Sequence, residues 1–388
     1  MTISLRHLRI VLGVADTRSL TQAAALARVS QPAVSAALNG IETAYGTPIF
    51  LRHPSGFTLT PAGEAVALRI RRAFSLLDPA LADLAPRLTL TATIAQLTAL
   101  ISVSECESFS GAARKLGLAQ PSVHRAVRQI EREAGRALFD RSPHGVIATR
   151  AVRQLAIAAR LAFTELEHAK ADVADLAGRE VGRIIIGAMP LSRAVLLGPA
   201  IAQFRAAWKS LPLQVIEGPY AELLLGLARG EVDFLIGALR PSSDDVHQEA
   251  LFYDELSIVA RPDHPALQGA ASLQDLAQFP WVVPALATPA RDQFTAMFAG
   301  NGREVPQNLV ETGSMVLLAD LVEKSDHLGF VSRRQVARDI AQGRLARVPY
   351  TPQGTLRPIG LTTRKNWHPT RAQNEMIAIV RNLAKGLG

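Results

Sequence analysis

Residues 19–52, "SLTQAAALARVSQPAVSAALNGIETAYGTPIFLR", and residues 108–141, "SFSGAARKLGLAQPSVHRAVRQIEREAGRALFDR", are one element written twice, 89 positions apart and without a gap. Leu8/Leu97, Ser19/Ser108, Ala23/Ala112, Gln31/Gln120, Pro32/Pro121, Glu42/Glu131, Gly46/Gly135, Phe50/Phe139 and Arg52/Arg141 are identical across the offset. Chance does not hold spacing over such a window. The first part of the chain must therefore fold as two copies of one small unit, and the rest as something else.

Each copy reads as three helices and a short two-stranded wing. In the second, Leu97, Leu100, Ile101 and Val103 lie along one helical face up to Cys106. Ser108 or Ser110 caps a short helix that Gly117 ends. Pro121 suits the first turn of the next helix, where a missing N–H costs nothing. Val123, Val127 and Ile130 give that helix a buried stripe, and His124, Arg125, Arg128 and Arg132 occupy the other face. A short helix, a tight turn and a polar-faced helix make a helix-turn-helix, whose second helix enters the DNA major groove. Arg141 and Ser142 on the wing are placed to meet phosphate. A plain three-helix bundle with solvated arginines is the alternative from these residues alone.

Charge favours the first reading. Of 42 Lys+Arg and 34 Asp+Glu, residues 1–180 hold 21 and 15, so that the excess of positive charge lies mainly in the repeated half. That half expects an anionic partner, with nucleic acid ahead of a membrane surface. A single cysteine, Cys106, excludes an internal disulfide framework. Charges interrupt the N-terminus, and the most apolar stretch carries Arg193 and two prolines, so neither a secretory signal nor a membrane span is expected and the chain reads as cytoplasmic. There is no phosphate-loop, dinucleotide or zinc pattern, hence no cofactor or metal is expected.

The pattern "SxxxAAxxLxxxQPSV…IExExGxxLFxR" resembles the winged helix-turn-helix of LysR-type transcriptional regulators, and "LTPAG" at 59–63 resembles the start of that family's linker helix. The resemblance implies binding to double-stranded DNA, a long linker helix that dimerises, and a C-terminal effector-binding domain of periplasmic-binding-protein type. The usual member has one such N-terminal module; this chain has two. The DNA-binding candidates are Ser30, Gln31, Pro32, Ser35, Asn39 and Arg52 in the first, and Gln120, Pro121, Ser122, His124, Arg125, Arg128 and Arg141 in the second. The first has Ala36 and Asn39 where the second has Arg125 and Arg128, so the second is expected to contribute more affinity. The first would extend the footprint to an extra half-site or mask the second.

Long amphipathic helices are predicted after each wing. Val66, Ile70, Ala73, Leu77 and Leu81 form a stripe before Pro86. Leu155, Ala159, Ala162, Leu166, Ala169, Val173 and Leu176 form another before Gly178. The second is expected to pair with its copy in a homodimer or homotetramer; for the first, packing within the chain stands equal.

From residue 183 strands and helices alternate, which predicts two α/β lobes joined by crossover strands. The fold class is thus multidomain: winged helix-turn-helix modules at 1–60 and 91–149, linker helices at 61–86 and 150–178, and a two-lobed α/β effector domain at 183–388. Lobe one takes 183–261 and 350–388, and lobe two takes 262–349. Ligands in such sheets sit beyond the strand ends. The candidates there are Met189, Pro190, Leu191, Ser192, Tyr220, Ala238, Leu239, Thr288, Gly313 and Ser314, with Arg193 or Arg240 completing an ion pair. Ser192, Thr288 and Ser314 would begin helices whose N–H groups face an anion, or would simply cap them. A small organic acid is the expected effector, with a sugar as runner-up. The rival reading is an enzyme or ligand-binding protein whose helical modules serve only assembly.

Overall fold

Hydroxyl side chains start the helices of the first repeat. Ser4, Ser19 and Ser30 accept hydrogen bonds from the N–H groups of His7, Gln22 and Ala33, opening α1 (Leu5–Thr17), α2 (Leu20–Ala27) and α3 (Gln31–Tyr45). Left-handed residues close them: Arg18, Arg28 and Gly46. A computed structural model describes residues 3–241, 244–269 and 272–387, and the chain divides into two units, Met1–Arg183 and Ile184–Gly388.

In the first unit, α3 leads to a hairpin of β1 (Phe50–His53) and β2 (Gly56–Leu59), and then to α4 (Pro61–Leu84). After α5 (Leu88–Thr91), the pattern recurs as α6 (Ile94–Cys106), α7 (Phe109–Leu116), α8 (Gln120–Ala134), a hairpin of β3 (Phe139–Ser142) and β4 (Gly145–Ala148), and α9 (Arg150–Leu176). The duplication reaches individual bonds. Glu42 Oε1 accepts from Ile49 N at 2.9 Å, and Glu131 Oε1 accepts from Leu138 N at 3.0 Å. Arg71 pairs with Asp16, and Arg160 with Glu105 at the equivalent positions. Phe57 N donates to Arg18 O, as Val146 N does to Glu107 O.

The stripe of α9, expected to pair with a second copy, is occupied within the chain itself. It is covered by α4, within one core that runs unbroken from Leu5 to Val173. Leu155 and Ala159 are fully buried there, whereas Leu176, placed on the stripe by its spacing, is exposed. The two helices run antiparallel. Arg69, early in α4, meets Glu165 and Asp172, late in α9. Asp83, near the end of α4, shares a surface recess with Arg150 and Gln154 at the start of α9. Each three-helix unit also leans on the other half. Burial, with Glu167 of α9 nearby, pushes the Tyr45 hydroxyl at the end of α3 up to about 12. Thr91 of α5 donates to Glu133 of α8.

Arg69 is 1% exposed. Its Nη1 donates to Glu165 Oε2 at 2.9 Å and its Nε to Asp172 Oδ2 at 2.7 Å. Arg72 Nε lies 3.2 Å from the same Glu165 oxygen. Burial works against the charge on Arg69, but the hydrogen bonds to Asp172 and Glu165 outweigh it and raise its pKa.

Among the described residues the second unit holds two five-stranded sheets. Its strands are β5 (Ile184–Ala188), β6 (Leu213–Glu217), β7 (Phe234–Ala238), β8 (Val246–Asp254), β9 (Leu256–Ala260), β10 (Trp281–Val283), β11 (Leu309–Glu311), β12 (Leu328–Ser332), β13 (Ala346–Arg347) and β14 (Arg357–Arg364). The first sheet runs β6-β5-β7-β14-β8 and the second β11-β10-β12-β9-β13. In both, the three strands at one side are mutually parallel and the remaining two pair antiparallel. The crossover falls earlier than the sequence pattern placed it. β9, expected in lobe one, pairs with β12 and belongs to lobe two. The connecting helices are α10 (Pro190–Ser192), continued by a π turn at Arg193–Leu197 into α11 (Gly198–Ala207), then α12 (Tyr220–Ala228), α13 (Leu273–Leu276), α14 (Pro289–Ala299), α15 (Met315–Glu323), α16 (Ala337–Ala341) and α17 (Arg371–Lys385). Among the described residues no helix is long and apolar enough to cross a membrane.

Arg69→Ala strands two largely buried carboxylates, so chemical denaturation should show a loss of about 3–5 kcal/mol. Arg71→Ala removes a half-exposed pair and should cost about 1 kcal/mol or less. Equal losses would show that the buried cluster has no special weight.

Candidate functional sites

Helix α8 buries Val123, Val127 and Ile130 completely, which turns Gln120, Pro121, Ser122, Arg125, Arg128 and Arg132 outward. An open groove of about 1090 Å³ follows this face, between Gln120 and Arg136. Four exposed arginines line it, Arg125, Arg128, Arg132 and Arg136, tempered by half-buried Glu131. Arg141 is exposed on β3. His124 departs from the expectation of a free polar contact: it is half-buried, stacked on Phe109 with ring centroids 4.4 Å apart. It shapes the α7–α8 turn as much as the outer face.

The equivalent face of α3 is nearly uncharged. Gln31, Pro32 and Asn39 are exposed, Ser35 is half-buried, and Arg52 on β1 is exposed with its guanidinium 5.8 Å from the Phe57 ring. Ser30 accepts from Ala33 N at 3.4 Å and so caps its own helix. At the matching position the second repeat has Ala119, which offers no side-chain cap. The first turn of α8 is held by backbone bonds instead, Ser122 N and Val123 N donating to Ala119 O, in the helix that also carries the arginines.

In the second unit a cavity of about 130 Å³ lies between the lobes. Of the expected residues, Met189, Pro190, Leu191, Ala238, Thr288, Gly313 and Ser314 line it; Ser192, Tyr220 and Leu239 do not. Pro190 starts its helix two residues before Ser192, so the Ser192 hydroxyl lies inside the turn. There it is fully buried and donates to Ile236 O at 2.8 Å and Met189 O at 2.7 Å. Thr288 and Ser314 do stand at helix starts, but they accept from Arg291 N and Leu317 N as caps. Arg193 is paired with Glu217. Arg240 stacks 4.3 Å from the Tyr220 centroid and donates to Ala287 O at 3.1 Å, bridging the lobes outside the cavity. Burial lowers its pKa. Leu239 packs over Gly360.

Sequence reasoning missed the polar floor of the cavity. Asp254, fully buried at the end of β8, accepts from Ser332 Oγ at 2.7 Å and from Arg357 Nε and Nη2 at 3.1 and 2.9 Å. Ser332 and Arg357 line the cavity, as does Gln335, whose Nε2 is buried without a hydrogen-bond partner. An unpaired buried donor calls for an acceptor oxygen. These residues lie where the crossover segments meet the sheets. The sequence signal was present in the strand-end position of Ser332, but nothing in it announced Asp254 as its partner.

Comparisons with known proteins agree with this division of labour. The model of the LysR substrate binding domain matches residues 177–385. That of the bacterial regulatory helix-turn-helix protein, lysR family, matches residues 5–64 and 94–153. The HTH-type transcriptional regulator GalR of Pseudomonas putida is 32% identical over 385 residues, 98% of this chain and 97% of its own. Among solved structures, full-length LysG of Corynebacterium glutamicum with Arg bound as effector is 20% identical, covers 75% of this chain and 97% of its own, and has a TM-score of 0.54. A full-length OxyR variant from Pseudomonas aeruginosa is 21% identical with the same coverage and a TM-score of 0.53.

Ser192→Ala leaves the buried Ile236 carbonyl without its hydroxyl donor. Thermal unfolding should register a loss on the order of 1 kcal/mol, with ligand affinity unmoved. A weakened ligand and an unchanged melting temperature would return Ser192 to the site.

Proposed function

The chain belongs to the LysR family of transcriptional regulators, which bind DNA and carry an effector-binding domain, and on that premise we propose that both N-terminal repeats act as winged helix-turn-helix modules. The second supplies most of the affinity. The observation that carries this ranking is the outer face of α8, where Arg125, Arg128 and Arg132 stand exposed along one groove while α3 offers Gln31, Ser35 and Asn39. Arginines neutralise phosphates and read guanine edges; neutral side chains read bases but release no counterions. Ser122, Gln120 and Arg141 position the second module, and Arg52 the first. The reading includes a cytoplasmic regulator that self-associates as a homodimer or homotetramer. With the stripe of α9 covered by α4, its self-association uses another surface.

The effector, in the same proposal, is a compact organic acid held between the lobes. A cavity of about 130 Å³ admits only a small molecule. Met189, Leu191, Ala238 and Met315 give it apolar walls, and the unpartnered Gln335 Nε2 takes a carboxylate oxygen beside Ser332. Arg357 is already neutralised by Asp254, so the site suits one anionic edge rather than two.

Two measurements test these assignments. Replacing Arg125 and Arg128 with Ala should weaken DNA binding more than replacing Gln31 and Ser35. It should also flatten the plot of log affinity against log salt, because fewer cations then face the DNA. Equal weakening would overturn the ranking. For the effector, a thermal-shift screen of small carboxylic acids and sugars should find a stabilising acid, and Gln335→Leu should reduce that shift while leaving DNA binding intact. Stabilisation by sugars alone would replace the acid in this reading.

A further inference from the structure

The two linker helices are copies of each other, α4 beginning at Pro61 and α9 at Arg150, 89 positions on. Their antiparallel packing therefore puts equivalent faces together, the arrangement by which two identical chains make a symmetric dimer. Here both partners belong to one chain. The interface is not symmetric in its charges, however. The counterpart of Arg69 in the second repeat is Ala158, and that of Arg72 is Leu161. The acids Glu165 and Asp172 face Arg69 because they face α4. Paired with another α9, they would face alanine and leucine, and Glu165, 6% exposed, would be a buried carboxylate with no cation. Selectivity of this kind rests on the unpaired charge in the wrong complex as much as on the ion pair in the right one. The internal pair is thus built to exclude the exchange of α4 for a second α9.

We propose that a single chain forms a complete two-module DNA reader, with α4 and α9 as its internal dimer interface, and that it recognises a duplex with two half-sites of different sequence. This rests on the reading above that both modules bind DNA. A symmetric dimer presents the same recognition helix twice and so selects a palindrome. This chain presents α3, with Gln31, Ser35 and Asn39, and α8, with Arg125 and Arg128, in fixed partnership. Gln and Asn pair with adenine and Arg pairs with guanine. The half-site under α3 should accordingly favour A·T pairs, and that under α8 should favour G·C pairs.

The test is selection of randomised duplex DNA by the full-length chain, followed by sequencing. The side chains altered are on outer faces, so folding is preserved. The expected result is two conserved blocks of unlike sequence in fixed order and spacing. Replacing Arg125 and Arg128 with Ala should erase preference in one block only; replacing Gln31 and Asn39 with Ala should erase it in the other. Each double variant should bind the selected duplex at least about tenfold more weakly. An equimolar mixture of the two variants, refolded together, should bind no better than either alone, because every chain then carries one blunted module. Recovery of near-original affinity in the mixture would place the two modules of a working pair on different chains and overturn the proposal. So would a palindromic motif whose halves are both erased by the same substitutions. Selection that enriches no motif overturns the DNA-binding assignment itself, an outcome distinct from either of these.

Discussion

One guanidinium, held between two carboxylates where water cannot reach it, governs the N-terminal unit. Arg69 satisfies Glu165 through Nη1 and Asp172 through Nε. The stripe that α9 presents is small and apolar, with Ala159, Ala162 and Ala169 letting α4 approach closely. Such a stripe tolerates sliding, because alanine faces look alike at successive turns. The buried charge does not. It fixes which residues face which, and hence where each three-helix unit sits along the pair. The outer faces of α3 and α8 are placed by that register. The repeated pairs Arg71–Asp16 and Arg160–Glu105 then join each long helix to the first helix of its own module.

The C-terminal unit uses a buried carboxylate differently. Asp254 sits at one crossover between the lobes, Arg357 opens the strand after the other, and Ser332 ends a strand of lobe two. The joint between lobes and the floor of the cavity are therefore the same residues. In the proposed reading a ligand oxygen engages Ser332 or Gln335 at this joint, and Arg240 reaches Ala287 across the cleft at its outer side. Ala287 holds a left-handed backbone, φ 57°, at that point. Strain of this kind is kept where the surrounding structure fixes the chain, and the cleft rim is such a place.

Much of this was legible in the sequence, for reasons that differ between elements. The repeat, the helix starts at Ser19 and Ser108, and the stop at Gly117 follow from local chemistry that needs no tertiary knowledge. The amphipathic stripe on α9 was equally plain, but a stripe states that something covers it and not whose helix does. The deciding signal was charge on the stripes themselves: Arg69 between Val66 and Ala73, and Glu165 between Ala162 and Ala169. Opposite charges interrupting two stripes mark a specific pair. The sheet to which β9 belongs was hidden, since an apolar run of strand length is alike on either side of a crossover. Ser192 was misplaced because Pro190, at the first turn, moves the helix start two residues upstream. Gln335 lies beyond the end of β12, where no periodicity points.

The two linker helices are joined through the second module: α4 ends at Leu84 and α9 begins at Arg150. Covalent joining replaces a bimolecular encounter of the two helices by an intramolecular one. A pair of separate chains comes apart as the cell is depleted of the regulator, and its occupancy of a site then falls faster than its abundance. The α4–α9 pair has no such threshold. The pairing of α4 with α9 is the same in a cell with a few copies as in one with thousands, because both helices belong to one chain.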